Sequence, residues 1–422
     1  MERVSTAIDR PKPGKPETDE TEAHRAATGT PGFLRSRLGG LPRAFWVLFA
    51  GTLVNRLGTM VEPFIGIYLT QARGMSLTAA GLVMTTFGVG SLLSQPVAGW
   101  AADHFGRRAT LTGGMVATAA TMLALGYTTS VPGIVAAMLV LGVVVDAYRP
   151  ASQALVADLV SAEERPRAYG LLFWAVNLGF SIAMVTGGWL AQSGFTVLFW
   201  VDAVTCLIFG LLVWRAIPET RPVREEDRPG RFTDVLSDRL MVAFVLINLA
   251  FTFVYLQAYS TLPLAMTGQG LPPGAYGVAM AVNGLLIVVV QPVTNGWLAR
   301  RDPSRALAAG IAVVGAGLAL TAIATSTAGY AMTVAVWTLG EVLTAGLAGS
   351  IVASLAPAHL RGRYSGLYGL SWSAGGLLAP LAGTRLLAVG PAVLWLLVGG
   401  LGLLAAAGQL ALGPAIRRRA AR

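Results

Sequence analysis

The residues able to do chemistry in this chain are few, and they stand in apolar surroundings. Asp146 and Arg149 are three apart near the middle of a long apolar stretch, with Gln153 extending the same helical face. Glu341 lies among Trp337, Thr338 and Thr344 in a second such stretch. Nearer the beginning, Asn55, Thr59 and Glu62 share a face with Arg56 adjacent, and Asn248, Thr252, Tyr255 and Tyr259 recur at i, i+4, i+7 and i+11. Ionisable groups in such surroundings are costly and ordinarily line a cavity or a pathway. Asp146, Glu341 and Glu62 are therefore candidates for carrying a coupling proton. Proton occupancy of such an acid responds to the local dielectric and to a nearby guanidinium, here Arg56 or Arg149. The competing reading is a permanent ion pair, such as Asp146 with Arg149 or Arg56, that fixes helix packing. Tyr255, Tyr259 and Trp337 offer rings to an aromatic or cationic molecule, and core packing would use the same residues. Asp202, beside Trp200 near the end of an apolar run, reads as structural or interfacial.

The elements that must hold these groups follow from composition. Of 422 residues 54% are hydrophobic and only 12% charged, with a mean hydropathy of +0.63. Soluble domains carry about 25% charged residues. Runs such as those from Gly113 to Thr128, Ala306 to Ala324 and Ala392 to Leu412 reach or approach the roughly 20 residues needed to cross about 30 Å of hydrocarbon. Inside lipid every backbone N–H needs an internal partner, which leaves helices or closed barrels, and these runs do not alternate as barrel strands do. The expected fold class is an all-α membrane protein of 12 transmembrane helices, at 42–71, 77–101, 110–129, 132–158, 168–191, 195–216, 240–266, 275–298, 306–326, 329–355, 364–387 and 391–413.

Charge placement orients these spans. The formal charge is +10. Apart from Arg56 and Arg149 inside spans, and Arg73 and Arg385 near far ends, every Lys and Arg falls in tails and connections on one side. That bias puts both termini in the cytoplasm of a multi-pass protein of the inner (plasma) membrane. The basic balance then reflects topology and contact with anionic membrane lipids, and no nucleic-acid partner is implied. The segment 1–40 mixes Pro, Gly and both charge signs without an h-region and reads as a disordered cytoplasmic tail. Segment 218–238 is a charged cytoplasmic linker between bundles at 41–217 and 239–413, and 414–422 is a basic tail.

The two bundles are copies. At an offset of about 196 residues, Gln95-Pro96 recurs as Gln291-Pro292, and Gly99-Trp100 recurs one residue further on as Gly296-Trp297. Arg165-x-Arg167-x-x-Gly170-Leu171 recurs as Arg361-x-Arg363-x-x-Gly366-Leu367, and Ala183-x-x-x-Gly187 as Ala379-x-x-x-Gly383. Six spans per copy give both halves one orientation, related by an axis along the membrane normal. The repeat brings Asp146 and Glu341 within one residue of equivalence, so the two acids are expected to face each other across that axis.

Between the second and third spans stands Gly99-Trp100-Ala101-Ala102-Asp103-His104-Phe105-Gly106-Arg107-Arg108. It resembles the G-x-x-x-D-R-x-G-R-R loop motif of the major facilitator superfamily, and the resemblance extends over roughly Leu41 to Leu412. It implies the fold of two pseudo-symmetric six-helix bundles, a central cavity lined by spans one, four, seven and ten, and transport by alternating access. The motif residues Gly99, Asp103, Gly106, Arg107 and Arg108, with Asp158 closing the fourth span, are expected to form a conformational gate. In it Gly99 permits a close approach of backbones, Asp103 meets the N-terminus of the eleventh span near Arg363, and Arg107 pairs with Asp158. His104 replaces the usual Arg, and in the second copy Arg300 stands where the acid belongs, so the gate is asymmetric. The fifth span resembles that of the drug/proton antiporter branch, but Met184 stands where that pattern has proline, which the eleventh span keeps as Pro380.

Other classes fit poorly. The only lysines are Lys12 and Lys15, so there is no phosphate-binding G-x-x-x-x-G-K-[ST] loop for an ATP-driven pump. Cys206 is the only cysteine, which excludes a disulfide framework and a thiolate metal site. His24, His104 and His359 all fall in expected cytoplasmic segments, leaving little for a membrane-embedded enzyme. A transporter-like receptor would look the same but lacks a long cytoplasmic domain. The expectation is a secondary active transporter, not an enzyme, needing no cofactor beyond the proton gradient. Its partners are protons, membrane lipid and a small-molecule substrate, and one copy suffices for function. Proton-coupled efflux of amphipathic or cationic molecules is the first reading. A proton symporter or facilitator importing a polar or anionic metabolite is the second, since the substrate-cavity candidates Asn55, Arg56, Arg149, Tyr255, Tyr259 and Trp337 include two guanidiniums.

Overall fold

A computed structural model describes residues 41–145, 148–161, 163–219, 235–298, 300–357 and 360–420. The described residues are helical and contain no strand. The first half comprises α1 (Arg43–Gly58), α2 (Val61–Ile67), α3 (Leu77–Phe105), α4 (Arg107–Tyr127), α5 (Val131–Val145), α6 (Tyr148–Leu159), α7 (Arg165–Ser193) and α8 (Thr196–Ala216). The second comprises α9 (Arg239–Ser260), α10 (Leu262–Gly268), α11 (Pro273–Leu298), α12 (Pro303–Leu320), α13 (Thr327–Thr344), α14 (Leu347–Leu355), α15 (Arg361–Val389) and α16 (Pro391–Ala420). Among the described residues ten helical segments are long and apolar enough to cross a membrane. The two remaining expected spans correspond to the shorter apolar α5 together with α6, and to the 29-residue α15, which carries more glycine and polar residues. Large apolar side chains such as Val293, Ile323 and Leu404 stand more than 70% exposed on helix surfaces, an arrangement that only lipid stabilises.

Within the unit Arg43–Arg422, helix packing repeats the sequence repeat. In the first half α3 packs on α5, α4 on α8, and α1 on α8 and α7. In the second α11 packs on α13, α12 on α16, and α9 on α16 and α15, the same pattern moved by one copy. The halves join through α3 against α15 and α7 against α11. Both seams are built on glycines related by an offset of 196. A Cβ added to Gly81 would meet Thr384 and the Pro380 carbonyl, and one added to Gly277 would meet the Met184 carbonyl. A Cβ on Gly88 would lie 2.6 Å from Leu377 Cα, and one on Gly284 would collide with Ser181 and come 2.7 Å from the Asn177 carbonyl. Met184 thus stands at the packing position of Pro380, and the close approach depends on the small partner and not on proline.

All of these contacts lie at one end of the molecule. At the opposite end, which carries the α3–α4 connection and the chain's last helix turn, a Cβ on Gly99, Gly170, Gly296, Gly362 or Gly366 would meet nothing within 4 Å. In this conformation Gly99 approaches no neighbouring backbone, and among the described glycines those at the close contacts between the halves include Gly81, Gly88, Gly277 and Gly284 at the other end. The far end is closed further by Gly66 against Leu264 and by an edge-to-face contact of Phe64 with Tyr276 at 5.4 Å.

Several expected spans are interrupted. The first breaks at Thr59–Met60, where the Met60 N–H turns to the Gly58 carbonyl at 2.7 Å. The seventh breaks at Thr261, and the tenth at Ala345–Gly346, with Gly346 at φ +74. Broken helices are tolerated in membranes where their freed backbone is buried or lines a cavity. The last span, expected to end at 413, continues through Pro414 to Ala420 and takes in most of the expected basic tail. Segment 1–40 and most of the linker 218–238 lie outside the described residues.

Candidate functional site

In the second half the break at Ala345–Gly346 lines a cavity of about 350 Å³. Its aromatic walls are Phe173 from α7, Phe251 and Tyr255 from α9, and Tyr368 and Trp372 from α15. Tyr255 and Trp372 stand edge to face at 5.9 Å, and Phe251 and Trp372 at 6.5 Å. Among the described lining residues the one carboxylate is Glu341, and none is Arg or Lys. Glu341 sits one turn before the break in the tenth span; its carbonyl accepts from Ala345 N–H at 3.0 Å and the Thr344 hydroxyl at 2.8 Å. Its carboxylate is held by neutral donors: Tyr255 Oη donates to Oε1 at 2.7 Å, and Asn283 Nδ2 donates to Oε2 at 2.6 Å and to Thr338 Oγ1 at 3.0 Å. Tyr259 Oη adjoins Tyr255 Oη at 3.2 Å.

The expected aromatic and polar stripes divide. Tyr255 forms the wall, and Tyr259 stands behind it against Phe180 of α7, ring centres 6.1 Å apart. Trp337, expected at the cavity wall, is only 1% exposed and backs the Tyr255 ring at 6.0 Å; a Cβ on Gly317 would lie 2.7 Å from Trp337 Cβ. Asn248 and Thr252, on the same sequence stripe as the tyrosines, turn instead to α15, bonding the Ser371 hydroxyl at 2.6 Å and its carbonyl at 3.0 Å. The sequence reading missed Trp372, Phe173 and Tyr368, which lie on glycine-rich helices with no charged neighbour to mark them. It also missed Asn283, a single amide in an apolar run.

The first half holds a different site. Asn55, Arg56, Thr59 and Glu62 do converge, but on a pocket of about 20 Å³ that has room for a single water. Asp202 and Cys206 complete it. Asp202 is 2% exposed, and its Oδ2 accepts from the Val61 N–H at 3.3 Å, the first amide after the break in the first span. Asn55 Nδ2 donates to Cys206 Sγ at 3.2 Å. Asp202 is therefore a buried support of the broken helix, not an interfacial residue. Asp146 lies outside the described residues, as do the side chains of Arg149 and Asp103, so the expected opposition of Asp146 and Glu341 is not described.

At the basic end, Arg107 and Asp158 form an ion pair. Gly106, at φ +91, turns the chain from α3 into α4 and cannot cap the helix with a side chain. Glu219, which the sequence reading passed over, supplies the cap from beyond α8: its oxygens accept from Arg108 N–H at 2.9 Å and Ala109 N–H at 3.1 Å, and Arg108 Nε lies 3.6 Å away. In the second half the position equivalent to Gly106 is Asp302, which caps α12 through Arg305 N–H at 2.8 Å and pairs with Arg417 at 3.1 Å.

Two helical halves joined at one end, apart at the other, with a cavity and a half-buried acid between broken spans, define a secondary active transporter of the membrane. The chain belongs to the major facilitator superfamily, whose family model matches residues 48–380. It is 27% identical over 378 residues to the multidrug resistance protein MdtH of Yersinia pestis, covering 86% of this chain and 92% of that one. It is 23% identical over 363 residues to a Na(+), Li(+), K(+)/H(+) antiporter of Planococcus maritimus, covering 76% and 84%. It is 26% identical over 358 residues to the uncharacterized MFS-type transporter YqjV of Bacillus subtilis, covering 80% and 85%. Crystal structures of a peptide transporter bound to sulfate and of a POT family transporter bound to 5-aminolevulinic acid superpose with TM-scores of 0.77 at 15% identity, covering 90% of this chain, and share the fold.

Proposed function

We propose that this protein is a proton-coupled exporter of amphipathic or cationic small molecules, working by alternating access of a cavity between two six-helix bundles. The observation that carries the reading is the cavity wall: aromatic rings around one carboxylate, with no guanidinium among the described lining residues. Aromatic faces and a carboxylate suit an organic cation, and the same carboxylate is the group to exchange protons, so substrate and proton compete for Glu341. The likeness to a multidrug resistance protein and to a cation/proton antiporter supports the same direction. Arg56, the described guanidinium of the candidate set, lines the single-water pocket of the other half. The charge bias supports reading the basic end as the cytoplasmic one; on that reading the open end faces the cytoplasm, and both termini are inside the cell. One chain forms the whole cavity.

The test is transport of tetraphenylphosphonium, a lipophilic aromatic cation, in proteoliposomes under an imposed proton gradient. Uphill movement that depends on the gradient and is lost in Glu341→Gln is the expected result. Movement of the cation by Glu341→Gln against its gradient at the wild-type rate would overturn the coupling role.

A further inference from the structure

We propose that Gln291 is a specificity-determining residue of the cavity, selecting aromatic amines that carry a second hydrogen-bond donor away from the ammonium group. The inference rests on Glu341 receiving the cation and goes beyond it by naming what the other end of the ligand meets. Gln291 belongs to the duplicated Gln-Pro pair, for which neither the gate nor the coupling acid gives a use. Asn283, Ile287 and Gln291 recur at every fourth residue of α11 and share one face. From that face Asn283 holds Glu341, and Ile287 and Gln291 line the cavity. α11 begins in close contact with α7 at the closed end, where Gly274 and Gly277 meet Gly188 and Met184, and runs to the basic end. Gln291 therefore stands nearer the open mouth, and Glu341 deeper in.

Tyr255, Glu341 and Thr344 commit their side-chain polar atoms within the wall. The main-chain carbonyl of Gln291 is likewise engaged, accepting from Thr294 Oγ1 at 3.1 Å. The side-chain Oε1 of Gln291 differs: it is buried and has no hydrogen-bond partner among the described residues. A buried acceptor without a donor costs free energy. Gln291 already forms part of the cavity surface, so rotation of its flexible side chain lets a ligand N–H or O–H supply the missing donor. A ligand that offers only an acceptor there leaves Oε1 unpaired. At the other end, each Glu341 oxygen accepts one neutral donor and keeps a lone pair for an ammonium hydrogen. Asn283 and Gln291 are two turns apart, about 12 Å along the helix. Hydrogen bonds of about 2.8 Å at each end leave on the order of 7 Å between the two donors of a bridging ligand. An aromatic ring suits that interval, because Phe173, Phe251, Tyr368 and Trp372 supply the walls.

The test is equilibrium binding of three cations to the full chain in lipid nanodiscs at neutral pH. Tyramine has a phenol that donates, its methyl ether has an oxygen that only accepts, and tetraphenylphosphonium has no donor at all. Wild type is expected to bind tyramine about fivefold to tenfold more tightly than the ether. Gln291→Leu should bind the two amines within about twofold of each other and keep tetraphenylphosphonium within about twofold of wild type. Leucine removes the unpaired acceptor at similar volume, so the variant is expected to fold. A wild type without the preference, or a Gln291→Leu that retains it, overturns the specificity role. Cation recognition by Glu341 still stands in that case while Glu341→Gln weakens all three cations. Equal binding of all three by wild type and Glu341→Gln, or no binding by wild type, overturns both.

Discussion

The two halves share one helix-packing pattern and differ in what they put inside it. The second half opens its broken tenth span onto a cavity of about 350 Å³ with Glu341 in an aromatic wall held by neutral donors. The first half closes its broken first span over a pocket of about 20 Å³ lined by Asn55, Arg56, Glu62 and Asp202, of which Asn55 and Asp202 are buried and Glu62 is exposed. The same contrast recurs at the basic end. Asp302 caps α12 from its own loop, whereas Gly106 at the equivalent position leaves α4 to be capped by Glu219 from beyond α8. The two halves share a backbone pattern, and their side chains leave an aromatic cavity in one and a small polar pocket in the other. The two acids differ in their neighbours: Glu341 has neutral donors and open space beside it, the setting of the proposed coupling role, whereas Asp202 lies against a helix break and accepts from its first amide.

The contrast can be broken most severely at Glu341. Glu341→Gln keeps the shape of the wall and is expected to lower proton-driven export by about a hundredfold, measured as gradient-dependent uptake in proteoliposomes, while Asp202→Asn stays within about threefold. Equal losses in both would erase the distinction between the halves. The next largest effect is at the seams. Gly88→Ala and Gly284→Ala insert a methyl group against α15 and α7, and overpacking of about 1–3 kcal/mol at the closed end should shift the population roughly fivefold to a hundredfold towards separation there. Spin-label distances across that end would report it, and Gly366→Ala, which meets open space in this state, should leave them unchanged. A seam that tolerates one alanine and not the other would show that the halves do not share the load.

Asp202→Ala leaves the buried Val61 N–H without its acceptor and is expected to cost about 2 kcal/mol, read as a lower unfolding midpoint, with Asp202→Asn restoring most of it. The smallest effect concerns the second half's basic end. There Asp238 caps α9 through Leu240 and Met241 N–H groups, and accepts from Tyr364 Oη and Arg419, both at 2.6 Å. Burial alone would push its carboxyl up, but the bonds from Tyr364, the Met241 amide and Arg419 outweigh it and hold it below the ordinary value. A carboxyl lowered in the folded state stabilises the fold above the ordinary range, and that contribution disappears as pH falls from about 4 down through the lowered value. Asp238→Asn should cost about 1 kcal/mol at neutral pH and flatten this acid limb of the unfolding midpoint. An unchanged limb would remove Asp238 from the set.

Much of this was legible in the residues alone. Apolar runs, the one-sided Lys and Arg, and the repeats at Gln95-Pro96 and Gln291-Pro292 determined a duplicated helical membrane protein, because lipid leaves the backbone few choices and duplication leaves periodic traces. The polar stripes singled out Glu341, Tyr255 and Tyr259 because charge at membrane depth is rare. Tertiary structure decided how those stripes were used. Asn248 and Thr252 share a helix face with Tyr255 but bond Ser371, and Trp337 is next to Glu341's stripe yet buried behind the wall. The break at Gly346, the role of Asp202 and the cap supplied by Glu219 depend on contacts between residues far apart in sequence. Spacing along a helix assigns a residue to a face. Only the packing of neighbouring helices decides whether that face meets a cavity, another backbone or lipid.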